Sequence, residues 1–163
     1  MSLLTERYVT GNTGSEAAPN QGSHLWKNGE TNMRMTENEK QRIVKSADFL
    51  YDKGYTSKIK DYAISFLGDG ISFIVSYERY SDTSDVLIKF MKENEVYSVG
   101  WIACVRSGLN IQPHLRLENV LMLLSYIREN YSSVTSRNYC KESDKSVSKF
   151  IENRKNPAHA SRD

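Results

Sequence analysis

Apolar residues recur along this chain with two different spacings, and each spacing predicts a different kind of element. Ile43, Val44, Ala47, Leu50 and Tyr51 return at intervals of three and four, which draws one stripe along a helix. Thr36 followed three residues later by Glu39 has the spacing of a capping box, and Gly54 just past Lys53 is a natural stop, so this helix is expected over 37–53. Between Ile59 and Arg106 the period drops to two. Tyr62, Ile64 and Phe66 alternate with polar or small residues. After the Gly68-Asp69-Gly70 turn, so do Ile71, Phe73, Val75 and Tyr77. Val86, Ile88 and Phe90 share one face of a run over 85–92, and Tyr97, Val99, Trp101, Ala103 and Val105 share one face of a run over 95–106. Glu93-Asn94 makes the short connection between these last two runs. The pattern therefore predicts four strands in an antiparallel meander. Ile102 and Cys104 give the fourth strand a second apolar face and the best cover.

Helical spacing returns in 116–131, where Leu117, Val120, Leu121, Leu124, Ile127 and Tyr131 form a wide stripe. A shorter helix is expected over 143–154 from Val147, Phe150 and Ile151, ended by Asn156-Pro157. The expected fold is α+β: a four-stranded antiparallel meander sheet packed by an N-terminal helix and two C-terminal helices. Phe66, Phe73, Phe90 and Trp101 are expected in its core. Turn-forming clusters at Gly11-Asn12-Thr13-Gly14-Ser15 and Pro19-Asn20-Gln21-Gly22-Ser23 make 1–35 a flexible N-terminal tail, with Leu25 and Trp26 as its hydrophobic handle. Residues 36–155 form the single domain and 156–163 a C-terminal tail, an organisation that suits a length of 163 residues.

Composition narrows the partners. With 22 Lys+Arg against 20 Asp+Glu the formal net charge is +2, too weak a field to recruit nucleic acid or anionic lipid. The apolar run from Val120 to Leu124 falls far short of the ~18 residues that cross a bilayer, and the N-terminal segment lacks the apolar core of a signal peptide. Cytoplasmic residence is the expectation. The 2 cysteines, Cys104 and Cys140, form no CxxC pair, which argues against a disulfide framework or a structural zinc site.

Catalytic constellations are also missing from the pattern. The chain contains no Gly-rich phosphate loop, no HExxH and no GxSxG. Cys104 lies in a run that reads as core, where a thiol is inert filler, and His114 has no second histidine nearby because His24 and His159 fall in the tails. No catalytic residue, metal or cofactor is therefore assigned, and the chain is not expected to be an enzyme. Meander topology does gather polar groups at one sheet edge, where Glu78, Arg79, Tyr80, Asp82 and Asp85 would meet Arg106. Tyrosine and arginine in such a cluster suit a protein interface, and these six residues form the candidate partner-binding site. A local turn network, with Asp85 pinned to Arg79 or Arg106, is the structural alternative. Asp82 and Asp85 as a divalent-cation site would want a third carboxylate that the sequence does not place there.

The runs Tyr77-Glu78-Arg79-Tyr80-Ser81-Asp82, Ser84-Asp85-Val86, Tyr97-Ser98-Val99-Gly100-Trp101-Ile102 and Leu123-Leu124-Ser125-Tyr126-Ile127, with Phe90 between them, resemble small immunity-type proteins of Gram-positive bacterial polymorphic toxin systems. The resemblance spans about residues 59–140. It implies a cytoplasmic, non-enzymatic inhibitor that binds a cognate toxin stoichiometrically and covers its active site. The near-neutral charge departs from the acidic balance common among inhibitors of basic nuclease toxins, which leaves the toxin's chemistry open. Two alternatives stand beside it: a phage- or plasmid-encoded inhibitor of a host defence enzyme, and a small hydrolase built on Asp82, Asp85 and Arg106. Oligomeric state is left open, a homo-oligomer included.

Overall fold

The computed structural model describes residues 34–79 and 81–156. Tyr80, 157–163 and nearly all of the tail expected over 1–35 lie outside the described residues. The elements run α1 (Glu37–Ser46), α2 (Asp48–Asp52), β1 (Thr56–Ile59), β2 (Ala63–Leu67), β3 (Ile71–Tyr77), β4 (Ser84–Phe90), β5 (Glu95–Ser98), α3 (Val99–Ser107), α4 (Arg116–Glu129), α5 (Tyr131–Val134) and α6 (Arg137–Lys155). The strands make one antiparallel sheet in chain order, β1-β2-β3-β4-β5.

A mixed α and β architecture with a meander is present, but the expected count of four strands and three helices is wrong: five strands and, among the described residues, six helices are found. The capping box forms as expected, Thr36 Oγ1 accepting the Glu39 N–H at 3.2 Å and Glu39 Oε2 accepting the Thr36 N–H at 2.7 Å. The helix it starts does not reach Lys53 unbroken. Ala47, at φ −97° and ψ 15°, leaves helical geometry and divides it into α1 and α2. Strand β1 was missing from the expected pattern because all four of its residues are exposed, so no alternation of apolar and polar positions marks it.

The largest correction concerns the expected fourth strand over 95–106. Only Glu95–Ser98 is strand, and the chain passes straight into α3. Ser98 is the N-cap, its Oγ accepting the Trp101 N–H at 3.0 Å. Gly108 closes the helix in the left-handed region at φ 69°, donating its N–H to Cys104 O at 2.9 Å. Val99, Ile102 and Ala103 are buried at helical intervals, whereas Trp101 turns outward and is 40% exposed, so it is not the core residue its period-two position suggested. Cys104 accordingly sits on a helix, half-buried, while Cys140 is the buried cysteine.

The core lies between one face of the sheet and the helices. Ile64, Phe66, Phe73, Val75, Val86 and Ile88 pack with Leu117, Val120, Leu124 and Ile127 of α4, and Ile43 and Leu50 close it from α1 and α2. Buried Asn119 fixes the loop before α4: its Nδ2 donates to Gln112 O at 2.8 Å and its Oδ1 accepts the Gln112 N–H at 3.0 Å. The last helix starts earlier than expected because Ser136 caps it, and it packs against α3 through Tyr139 and Ser143 near its start and Phe150 near its end. Among the described residues no helix is long and apolar enough to cross a membrane.

Candidate functional site

The structure divides the six candidate residues among separate contacts. Asp85, at the start of β4, is directed at the first turn of α3. Its Oδ1 accepts the N–H groups of Val86 at 2.7 Å and Gly100 at 2.9 Å, and its Oδ2 accepts the Ser98 hydroxyl. A carboxylate is thus placed against the Gly100 N–H in the first turn of a helix, reached through the sheet rather than along the chain. Burial pushes the Asp85 carboxyl above the usual carboxylate range. The three donors pull the other way, and nearby Glu78 adds to the rise. Gly100 lets this junction pack closely, because a Cβ there would lie 2.6 Å from Ile111 Cδ1 and 2.8 Å from Asp85 Oδ1 and would force those side chains to shift.

Arg106 does not join Asp85. As α3 is a helix, Arg106 stands six residues beyond Gly100, roughly 9 Å along the axis, instead of at the end of a strand. There its Nε donates to Ser143 Oγ at 2.8 Å and its guanidinium lies 4.4 Å from the centre of the Tyr139 ring, which fastens α3 to α6. Arg79 is exposed, with its guanidinium 5.3 Å from the Tyr62 ring centre, so Asp85 is pinned to neither arginine. Asp82 meets His114 Nδ1 at 2.7 Å, tying the β3–β4 turn to the loop before α4. His114 holds a left-handed φ of 66° there. The Glu78 N–H donates to Thr83 O at 3.0 Å and closes that turn. Tyr80 lies outside the described residues.

Glu78 and Asp85 do share a cleft, of about 430 Å³, between the β3–β4 turn, α3 and α6. Sequence reasoning missed its far wall. Trp101 of α3 and Phe150 of α6 meet edge to face with ring centres 6.3 Å apart, 40% and 38% exposed, and Arg154 lies 5.1 Å from the Phe150 ring centre. Reading Trp101 at period two placed it in the core. At helical period from the Ser98 cap it falls opposite the buried Ile102 and Ala103, which is the signal that would have found it. The cleft therefore joins an aromatic wall to a carboxylate rim, while its deepest carboxylate is already hydrogen-bonded. Among the described residues no group of three or more histidines, cysteines or carboxylates is arranged to hold a metal ion. Comparison with protein-family models, with curated proteins and with solved structures returned no match to this chain.

Proposed function

We propose that this chain is a non-enzymatic inhibitor that binds another protein, in the manner its resemblance to immunity-type proteins implies, and that the partner seats on the cleft between α3 and α6. One observation supports this above the others: Trp101 and Phe150 form a continuous exposed aromatic wall next to Glu78 and Arg154. Large aromatics with a charged rim are the composition of interface hot spots. The hydrolase alternative loses ground on the same geometry. Asp85 is occupied by three donors and Asp82 by His114, and Arg106 lies away at the opposite end of α3, so the three residues do not form a working set. A toxin domain inside the producing cell's cytoplasm is the partner that fits this reading.

The test is a pull-down with the tagged full chain from its host lysate, followed by assay of the captured partner. The partner should co-elute near one to one and lose its activity when the chain is added. Trp101→Ala should weaken that complex about thirtyfold, the equivalent of roughly 2 kcal/mol. A near-stoichiometric partner that the variant binds as tightly as the wild type removes the cleft from the proposal, and absence of any such partner removes the inhibitor.

A further inference from the structure

The strand that the apolar pattern did not reveal borders the sheet, and among the described residues nothing pairs with the outer side of β1. Neighbouring bonds fix which of its groups point outward. The Lys60 N–H donates to Ala63 O at 2.8 Å and the Tyr77 N–H to Tyr62 O at 2.8 Å. The alternation of an antiparallel ladder then turns Thr56 and Lys58 toward β2, and Ser57 and Ile59 away from it. Among the described residues, two backbone N–H groups and two carbonyls thus stand open along this edge. Ser57 and Ile59 are paired with Phe66 and Ile64, both buried, and so share the helix-covered face of the sheet. Ile59, 50% exposed, faces Val44 and Gln41 of α1 across an open groove of about 510 Å³. An open strand beside a helix with a partly apolar groove between them is the arrangement that captures an extended segment as an added strand.

Charge selects the occupant. Lys40, Lys45, Lys58 and Lys60 lie around this edge with Glu37 and Asp61, and among the described residues Lys40 meets both carboxylates, at 2.9 Å and 3.5 Å, while Asp61 also meets Arg34 at 3.7 Å. Lys45, Lys58 and Lys60 are exposed and meet no carboxylate among the described residues. Pairing β1 with its copy in a second chain would bring the two Lys58 side chains close together on one face, where like charges repel.

We propose that the β1 edge binds an extended acidic segment of another protein as a sixth strand. Its backbone pairs with Ser57 and Ile59, its alternate apolar side chains cover Val44 and Ile59, and the acidic side chains between them lie beside Lys58 on the other face. This surface is separate from the α3–α6 cleft, so either can fail without the other.

A random octapeptide display library selected on the full chain provides the test. The selected pool should enrich Asp or Glu alternating with Val, Ile or Leu. The pooled peptides should slow amide exchange at Ser57 and Ile59. Ser57→Pro removes one outward N–H at an edge position that tolerates proline and should weaken binding about tenfold, as one lost hydrogen bond predicts. Lys45→Glu with Lys58→Glu, two exposed changes, should reverse the preference toward basic peptides. Selection without acidic enrichment, exchange protection elsewhere, affinity indifferent to both variants, or a dimer that already protects Ser57 and Ile59 overturns the proposal.

Discussion

Asp85 Oδ1 accepts the N–H of Gly100 across 2.9 Å, joining the second residue of β4 to the first turn of a helix fifteen positions later. The same side chain holds Val86 and Ser98, so it fixes where strand β5 stops and α3 begins. Asp85→Ala leaves two N–H donors and a hydroxyl in need of partners and should lower stability by about 2–3 kcal/mol. Asp85→Asn can still accept both N–H groups and donate to Ser98, and should lose less than about 1 kcal/mol. Urea midpoints at unchanged slope would measure both. Equal losses in the two variants would mean that charge, not hydrogen bonding, holds the junction.

A second contact makes stability depend on pH. Arg137 Nε and Nη2 each reach Glu95 at 2.7 Å, and the Tyr97 hydroxyl donates to it at 2.9 Å. The Arg137 guanidinium beside Glu95, helped by Tyr97, lowers its carboxyl from the ordinary 4.5 to about 2. A carboxylate with a lowered folded-state pKa favours the native protein above its unfolded value and loses that effect on protonation. The stability advantage of wild type over Glu95→Gln should be full above about pH 4.5 and vanish as the pH falls through about 2. Chemical denaturation at a series of pH values would show it, and a difference constant across that window would mean that the pair contributes through packing alone.

The two cysteines should react unequally. Burial pushes the Cys140 thiol up to about 12, and its Sγ donates to Val134 O at 3.2 Å. Cys104 stands half-buried at the cleft, 3.8 Å from Asn110 Oδ1. Thiolate character and access together govern alkylation. Iodoacetamide at neutral pH should label Cys104 in the native protein and both cysteines in urea, a result read directly by intact mass. Native labelling of Cys140 at the Cys104 rate would show that the α5–α6 corner opens readily.

How much the chain disclosed in advance varied with how each element buries its residues. The capping box at Thr36 and Glu39 and the alternation of Phe73, Val75 and Tyr77 were legible because one local rule decided each. Strand β1 was not, since an edge strand with every residue exposed has no burial pattern to print on its sequence. In 95–106, alternation and helical spacing both fit the apolar residues. The deciding marks were the cap at Ser98 and the left-handed Gly108, weaker than five apolar residues in step. That single misreading moved Arg106 to the candidate edge and hid Trp101 in the core, which is why the aromatic wall of the cleft was missed. Glu78 and Asp85 line one cleft because β3 and β4 pair as their alternation indicates.

The sheet is laid down in chain order, each strand pairing with the next through a short connection. Closing short loops is entropically mild, and topologies dominated by such local pairings reach the native state quickly for their size. The contact of α1 with α4 spans the whole meander, so it closes a much longer stretch of chain than any hairpin does. Substitutions in the hairpins should chiefly alter the rate of collapse, whereas those between the two helices should set how long the finished molecule lasts before it unfolds.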